Sequence, residues 1–226
     1  MSSYLDKTIG LIGKEKTDSF RDKLIVVIGI GGVGGTALET LARSGFTKFV
    51  IVDSDSVDTS NLNRQILFTN EDIGKSKVES AKQHLNKIIP DLDIECIQAK
   101  VGESKLEDLL KQKPDFIVDA IDDVEGKLHI YEYCLNNNVE FISSLGMGNR
   151  LEPEKVVVTN LNKTENDPLA RKMRYESKQR GIDTKRIPVV FSKENPIIKS
   201  NKPYSMMMVP STAGLLIAKY VLYTIK

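Results

Sequence analysis

The sequence predicts an α/β protein with a Rossmann-like, mostly parallel sheet, helices on both faces and a C-terminal β/α extension. Two observations predict this class. Short runs rich in Val and Ile alternate along the chain with segments of helical spacing, which is the order of right-handed βαβ units. A cluster of glycines directly follows the first apolar run and opens the first helical segment, as in folds that bind a nucleotide at that turn.

The first part of the chain contains five predicted strands and four predicted helices. The strands are short and β-branched, which is typical of buried parallel strands. They span residues 24–28, 49–52, 94–99, 115–120 and 139–143. The helices span residues 36–42, 75–89, 105–111 and 124–136, and Pro90 ends the second of them.

The remaining elements form the C-terminal extension. Residues 155–161 alternate and predict an antiparallel strand, followed by a charged helix at 167–180, a short strand at 189–191 and a last helix at 212–223. The apolar stretch 204–225 contains Pro210, after which 15 residues remain, fewer than the roughly 20 of a membrane span. We therefore expect a buried helix and no membrane association.

Length and composition indicate one sizeable globular unit. The chain has 226 residues, 40% hydrophobic and 28% charged, which suits one α/β domain over residues 1–226. We divide it into a nucleotide-binding core at 1–145 and an extension at 146–226 that binds substrate and contributes to dimer contacts. The first six residues lack the pattern of a signal peptide, and we expect a cytoplasmic protein.

The two cysteines and the charge distribution narrow the class of site. Cys96 and Cys134 lie in apolar periodic segments, so we expect reduced core residues and no zinc site made of four cysteines. The net charge is only +1. However, residues 163–202 carry 11 Lys/Arg against 5 Asp/Glu, and the rest of the chain carries 21 against 26. This asymmetry indicates either an anionic partner at one face or a solvated charged helix.

The glycine cluster predicts a binding site for an adenine nucleotide. Gly29, Gly31 and Gly34 fit the pattern GxGxxG, with Gly32 inside it. Glycines there allow a tight turn and a close approach to phosphate at the helix N-terminus. Asp53 ends the second strand 24 residues after Gly29, and its carboxylate can accept hydrogen bonds from ribose hydroxyls. The pattern alone leaves NAD and ATP open.

The residues that follow favour ATP over NAD. After Asp55 come Asn61, Arg64 and Gln65 within the segment SNLNRQ, and then Lys77 in the segment GKSKVES. A dehydrogenase has no need of cations just past its ribose-binding strand. An enzyme that cleaves ATP between the α and β phosphates does need such cations, because negative charge builds up on the phosphate oxygens during cleavage.

Carboxylates at the end of the fourth strand predict a magnesium site. The segment DAIDD covers residues 119–123, and ligands of open α/β sheets bind at the carboxyl ends of strands. Asp122 is our candidate ligand for Mg²⁺. When this ion lies near phosphates, it keeps most of its water ligands. The alternative is that Asp122 or Asp123 caps the helix at 124–136.

These motifs, taken as an ordered set, resemble the superfamily of ThiF, MoeB and ubiquitin-activating (E1-like) enzymes over roughly residues 5–145. The resemblance implies an adenylating enzyme that uses ATP and Mg²⁺. It implies that Asp53 holds the ribose, that Asn61, Arg64 and Lys77 contact the phosphates, and that Asp122 holds the metal. The expected catalytic residues are Arg64, Lys77 and Asp122. The expected nucleotide site comprises Gly29, Gly31, Gly32, Gly34, Asp53, Asp55, Asn61, Arg64, Gln65, Lys77 and Asp122.

The C-terminal third resembles the tRNA threonylcarbamoyladenosine dehydratases of the TcdA/CsdL type. The matching segments are residues 144–148, 156–161, 163–164, 167–174 and 190–194. In that family ATP activates the carboxylate of threonylcarbamoyladenosine (t⁶A) at position 37 of tRNA, and a nitrogen of the same base then closes a ring with net loss of water. The resemblance implies tRNA carrying t⁶A as partner and, by analogy with the wider superfamily, a homodimer. Expected contacts to tRNA phosphates are Arg171, Lys172, Arg174, Lys178, Arg180, Lys185 and Arg186.

Three other functions remain open. The first is activation of a ubiquitin-like sulfur-carrier protein, but enzymes that pass such a carrier on by thioester need a late cysteine, and none follows Cys134. Val189 stands where some dehydratases carry a cysteine, which argues against a sulfur-relay partner. An NAD(P)-dependent oxidoreductase would not need Arg64, and a non-catalytic scaffold would bind ATP without exchanging pyrophosphate. We expect Tyr175 and Phe191 to be core residues; the alternative is that one of them stacks on an exposed RNA base.

Overall fold

The computed structural model describes residues 3–90, 92–198, 200 and 203–225. Its strands form one seven-stranded sheet in the order β3-β2-β1-β4-β5-β7-β6. The strands are β1 (Leu24–Ile28), β2 (Lys48–Val52), β3 (Asp93–Ile97), β4 (Phe116–Asp119), β5 (Glu140–Ser144), β6 (Val156–Asn160) and β7 (Pro188–Ser192).

Helices cover both faces of this sheet. They are α1 (Asp6–Ile12), α2 (Lys14–Ser19), α3 (Gly32–Ser44), α4 (Lys77–Ile88), α5 (Leu106–Leu109), α6 (Val124–Asn137), α7 (Pro168–Gln179) and α8 (Met208–Thr224). Apolar residues of α3, α4 and α8 pack on one face, and those of α5, α6 and α7 pack on the other. The predicted α/β class with a mostly parallel sheet is confirmed.

The pairing of strands explains where the site lies. Neighbouring strands are parallel from β3 through β7, and only β6 is antiparallel, at the edge beside β7. The antiparallel strand predicted at 155–161 is therefore confirmed. The carboxyl ends of β1, β2, β4 and β5 meet at one edge of the sheet, where ligands of such folds bind.

The structure differs from the sequence prediction mainly in short elements. The patterns did not predict α1 and α2, which have seven and six residues and only one buried side chain, Thr17, between them. The helix predicted at 105–111 is a single turn, α5. Helix α8 begins four residues before the prediction, with Pro210 in its first turn, where a missing N–H group disrupts no helical hydrogen bond.

Helices α3 and α8 approach each other closely. A Cβ atom on Gly214 would lie 2.5 Å from the backbone oxygen of Val33 and 2.7 Å from Cβ of Thr36, so only glycine fits. Helix α8 thereby supports the first turn of α3. In the part of the chain that the structure describes, we find no helix long and apolar enough to cross a bilayer.

Candidate active site

The glycine loop between β1 and α3 leaves room for a phosphate group. Gly29 has a φ of +89° and its N–H donates to the oxygen of Val52 at 2.8 Å. A Cβ atom on Gly34 would lie 1.9 Å from the Gly29 oxygen, so the helix must begin with small residues. No side chain caps α3 at Gly31. Its first N–H groups and the positive end of its dipole are therefore available to an anion.

Asp53 holds this loop against the end of β2. Its Oδ2 accepts a hydrogen bond from the N–H of Ile30 at 2.6 Å, and its Oδ1 accepts one from the N–H of Asp55 at 2.9 Å. A carboxylate has about four acceptor positions, so these two bonds leave capacity for a ribose hydroxyl. Sequence reasoning predicted the ligand role of Asp53; the structure adds its hold on the glycine loop.

The SNLNRQ segment lies directly against the glycine loop. The backbone oxygen of Arg64 lies 3.1 Å from where a Cβ on Gly32 would be, and Nε2 of Gln65 lies 3.8 Å from the same position on Gly31. The Arg64 guanidinium donates through Nη1 to the oxygen of Ser60 at 2.6 Å. The guanidinium is therefore held by its own segment, whose backbone touches the glycine loop.

Two of the three side-chain amides of this segment are buried, and their surroundings differ. The buried Asn61 accepts through Oδ1 from the N–H of Asp58 at 3.1 Å in a capping box. Gln65 is also buried, and its Oε1 has no hydrogen-bond partner among the described residues. An unpaired buried acceptor is costly, so Gln65 offers an acceptor to a ligand at the glycine loop.

Lys77 and Asp55 form an ion pair at the start of α4. Nζ of Lys77 lies 2.7 Å from Oδ2 of Asp55, and the two side chains are 7% and 63% exposed. A lysine at a helix N-terminus opposes the helix dipole, and Asp55 compensates this charge. The pair lies beside Asp53 because the Asp55 N–H donates to that carboxylate.

Asp122 and Asp123 have separate positions at the end of β4. Asp123 caps α6, since its Oδ2 accepts from the N–H of Gly126 at 2.7 Å. Asp122 is exposed, and its side chain has no hydrogen bond or ion pair within the described ranges. The end of β4 touches the glycine loop, because the oxygen of Ala120 lies 2.7 Å from a Cβ position on Gly29.

A buried ion pair beneath this turn was not foreseen from the sequence. Lys127 on α6 and Asp119 at the end of β4 are both 0% exposed, with Nζ 2.9 Å from Oδ2. Nζ also donates to the oxygen of Ser144 at 2.6 Å and to Oγ of Ser143 at 3.1 Å. One feature of the sequence could have indicated that Lys127 is buried. Lys127 precedes Tyr131 by four residues and so shares its helix face, and Tyr131 is buried.

The loop after β5 is held by a second buried cation. Arg150 donates through Nη1 to the oxygens of Gly146 and Gly148 at 2.6 and 3.0 Å, and through Nε to the oxygen of Glu194 at 3.1 Å. Asp167 caps α7 and also accepts from the N–H of Gly146 at 3.0 Å. These bonds connect the carboxyl end of β5 to the start of the charged helix.

The basic residues predicted to meet phosphates lie on α7 and the turn after it, apart from the glycine loop. Arg174 donates to the oxygen of Thr164 at 2.9 Å, and Arg180 makes bonds of 2.6 and 2.7 Å to the carboxylate of Glu125. Both are therefore already engaged within the chain. The other five are exposed and make no ion pair or side-chain hydrogen bond within the described ranges: Arg171, Lys172, Lys178, Lys185 and Arg186.

Neither cysteine is prepared to act as a nucleophile. Burial raises the pKa of the Cys96 thiol to about 11 and that of the Cys134 thiol well above its ordinary value, so neither forms a thiolate near neutral pH.

Phe191 is buried, as predicted. Tyr175 is 61% exposed, so its prediction as a core residue was wrong. It lies on the solvent side of α7.

Comparison with known proteins agrees with this arrangement. The model of the ThiF family matches residues 5–219. The chain is 32% identical to the tRNA threonylcarbamoyladenosine dehydratase of Bacillus subtilis (strain 168), over 93% of this chain and 89% of that protein. It is 37% identical to tRNA threonylcarbamoyladenosine dehydratase 2 of Saccharomyces cerevisiae, over 88% of this chain and 44% of that protein. The chain thus spans under half of the yeast relative.

The fold is similar to that of a solved enzyme. The crystal structure of the Escherichia coli tRNA N6-threonylcarbamoyladenosine dehydratase TcdA in complex with ATP superposes with a TM-score of 0.92 at 29% identity. The superposition covers 98% of this chain and 93% of that one. The whole sheet and its helices therefore have a counterpart in a protein that binds ATP.

Proposed function

The chain belongs to the ThiF family, and on that premise we propose its function: it is an ATP-dependent tRNA threonylcarbamoyladenosine dehydratase, which converts t⁶A in tRNA to the cyclic form. One observation carries this assignment. The similarity to the B. subtilis dehydratase extends over 93% of the chain, so it includes the extension beyond the nucleotide-binding core. The superposition with the E. coli dehydratase TcdA likewise covers 98% of this chain.

The first step joins the t⁶A carboxylate to AMP. A carboxylate oxygen attacks the α-phosphorus of ATP, the bond to the β-phosphate breaks, and pyrophosphate leaves. The glycine loop and the first turn of α3 bind the phosphates, and Asp53 binds the ribose. Arg64, Lys77 and Asn61 lie where charge builds up on the phosphate oxygens, and they stabilise it by hydrogen bonds and charge.

We assign Asp122 as the residue that holds Mg²⁺. The fit follows from its exposed and unpaired carboxylate at the end of β4. No group of three or more His, Cys, Asp or Glu side chains suited to a metal occurs in the described part of the chain. Mg²⁺ needs only one or two carboxylates when phosphates and waters complete its shell. When bound, it neutralises charge on the departing pyrophosphate.

The second step needs no nucleophile from the protein. A nitrogen of the modified base attacks the acyl carbon of the adenylate, the bond to AMP breaks, and the nitrogen loses its proton. In total, t⁶A loses the atoms of one water molecule. Because both reacting groups belong to one nucleoside, the protein contributes by holding them in position. This agrees with two cysteine thiols whose pKa values burial raises.

We propose that α7 and the turn after it bind the tRNA backbone. Among the seven candidates, the five that make no bond within the described part of the chain are free to contact phosphates, while Arg174 and Arg180 hold other segments of the fold. We also propose a homodimer in the cytoplasm. Support for a dimer comes from Met208, Leu215 and Tyr223, which are exposed at helical spacing on one side of α8; apolar surface of this kind marks contact with another protein.

The test is conversion of t⁶A in bulk tRNA from cells that lack the cyclic form. The protein is incubated with that tRNA, ATP and Mg²⁺, and the nucleosides are read by mass spectrometry. We expect loss of one water from t⁶A, and its abolition by Arg64→Ala. ATP binding without conversion would contradict the assignment, and adenylation of a carrier protein ending in Gly-Gly would then identify the alternative function. No ATP binding would contradict adenylation altogether.

A further inference from the structure

Tyr204 lies on a segment that is fixed to the loop after β5. The N–H of Asn149 donates to the oxygen of Tyr204 at 2.6 Å, and the N–H of Tyr204 donates to Oδ1 of Asn149 at 2.8 Å. Asn149 has a φ of +61°, where asparagine is one of the few tolerated residues. A Cβ on Gly148 would lie 2.6 Å from Cβ of Pro203. The backbone of Tyr204 is therefore held in place from two sides.

The same segment contacts the arginine of the nucleotide site through one intermediate residue. Nδ2 of Asn63 donates to the oxygen of Ser205 at 2.8 Å, and Nη1 of Arg64 donates to Oδ1 of Asn63 at 2.8 Å. Ser205, the residue after Tyr204, is thus linked to Arg64 by two hydrogen bonds that both involve the side chain of Asn63. Segment 203–205 lies at the mouth of the site, between the SNLNRQ segment and the loop after β5.

The ring of Tyr204 is free although its backbone is held. The residue is 60% exposed, and its side chain makes no hydrogen bond or ring contact within the described ranges. An exposed aromatic ring on a fixed backbone is the usual platform on which proteins stack unpaired RNA bases.

The chemistry of the substrate requires a base at this place. The carboxylate of t⁶A is joined to the adenine ring through only the carbamoyl group and the α-carbon of threonine. When that carboxylate reaches the α-phosphate beside Arg64, the ring must lie close to the mouth of the site. We propose that Tyr204 stacks on the adenine ring of t⁶A and so positions the modified base at the site. This inference rests on the proposed dehydratase function.

The experiment compares variants in steady-state conversion of t⁶A-containing tRNA. Because a stacked base loses its aromatic partner, Tyr204→Ala should raise the KM for tRNA by about 10-fold, with the KM for ATP unchanged. Tyr204→Phe keeps the ring and should restore the wild-type KM, whereas Tyr204→Leu should not. The matched control is Tyr4→Ala, a tyrosine of similar exposure (56%) outside the proposed RNA surface, which should leave the KM for tRNA unchanged.

Other outcomes overturn the proposal. An unchanged KM in Tyr204→Ala, or an equal rise of the KM in Tyr4→Ala, would mean that Tyr204 does not stack on the base. Loss of an oligomer in sedimentation velocity, in step with the loss of activity, would show that a second copy covers this residue instead.

A binding assay separates this proposal from the function itself. Anisotropy of a labelled anticodon stem-loop with adenosine at the modified position, compared with one that lacks the base there, should show a preference for the base that Tyr204→Ala removes. A wild-type protein with this preference but without conversion would contradict the dehydratase function and leave the stacking in place. Conversion by a wild-type protein whose preference survives Tyr204→Ala would contradict the stacking alone.

Discussion

At the scale of single residues, Asp122 and Asp123 are neighbours with different tasks. Asp123 accepts a hydrogen bond from the N–H of Gly126 and caps α6, whereas Asp122 is exposed and faces no partner among the described residues. We expect Asp122→Ala to lower kcat/KM for t⁶A conversion by about 100-fold, because transition-state charge loses its stabilisation, with the free energy of unfolding unchanged.

The control is Asp123→Ala, which removes the cap and should destabilise the fold by about 1 kcal/mol. In a chain of this size that lowers Tm by about 2–4 °C, and activity at low temperature should persist. Calorimetry and steady-state rates on the two variants measure both effects. An Asp122→Ala enzyme that is fully active but less stable would reverse the two assignments and remove the proposed metal ligand.

At the scale of elements, the Lys127–Asp119 pair joins α6 to the ends of β4 and β5. Both side chains are fully buried. Removing one partner leaves an uncompensated charge in the core, so Lys127→Met should lower the free energy of unfolding by about 3–5 kcal/mol. The double variant Lys127→Met with Asp119→Leu should recover part of this loss, because an apolar pair of similar volume avoids the desolvation penalty. Urea unfolding measures both, and a single variant within about 1 kcal/mol of wild type would contradict the account.

The basic residues of α7 should separate into two groups. Changing both Arg171 and Lys172 to alanine should weaken tRNA binding and reduce the dependence of affinity on salt, because fewer counterions are released. Their exposure implies no change in thermal stability. Arg174→Ala should instead lower stability by about 1 kcal/mol, since its bond to the Thr164 oxygen is lost. Fluorescence titrations at several salt concentrations test this, and an unaltered salt slope would exclude α7 as the RNA surface.

The strands and longer helices could be predicted because their patterns are local. The run at Leu24–Ile28 and the glycines after it follow from the period and the composition of the segment. Helices α1 and α2 could not be predicted, because they bury almost no apolar side chain. The antiparallel direction of β6 was expected from its alternation, but its place at the sheet edge depends on pairing with β7.

The site was predictable as a set of residue types and not as a set of contacts. The glycines, Arg64 and Asp122 were named from motifs, and the structure gathers them at one edge of the sheet. The sequence could not show that Asp55 pairs with Lys77 or that Asn63 bonds to Ser205, because these contacts join segments distant in the chain.

At the scale of the whole molecule, the exposed side of α8 predicts self-association. Met208, Leu215 and Tyr223 are 45%, 51% and 76% exposed on one helix, and covering them in a dimer would remove apolar surface from water. We expect sedimentation velocity to show a dimer, and Leu215→Glu to yield monomers. A wild-type protein that sediments as a monomer at micromolar concentration would contradict the proposal.

The central claim is that ATP activates the substrate by adenylation of its carboxylate. The most direct measurement follows the carboxylate oxygen: t⁶A-containing tRNA labelled with a heavy oxygen isotope in that carboxylate is converted with unlabelled ATP. The account predicts that one labelled oxygen appears in AMP, because the bond from the acyl carbon to that oxygen breaks at ring closure. Label in inorganic phosphate with ADP as product, or label in water with unlabelled AMP, would contradict it.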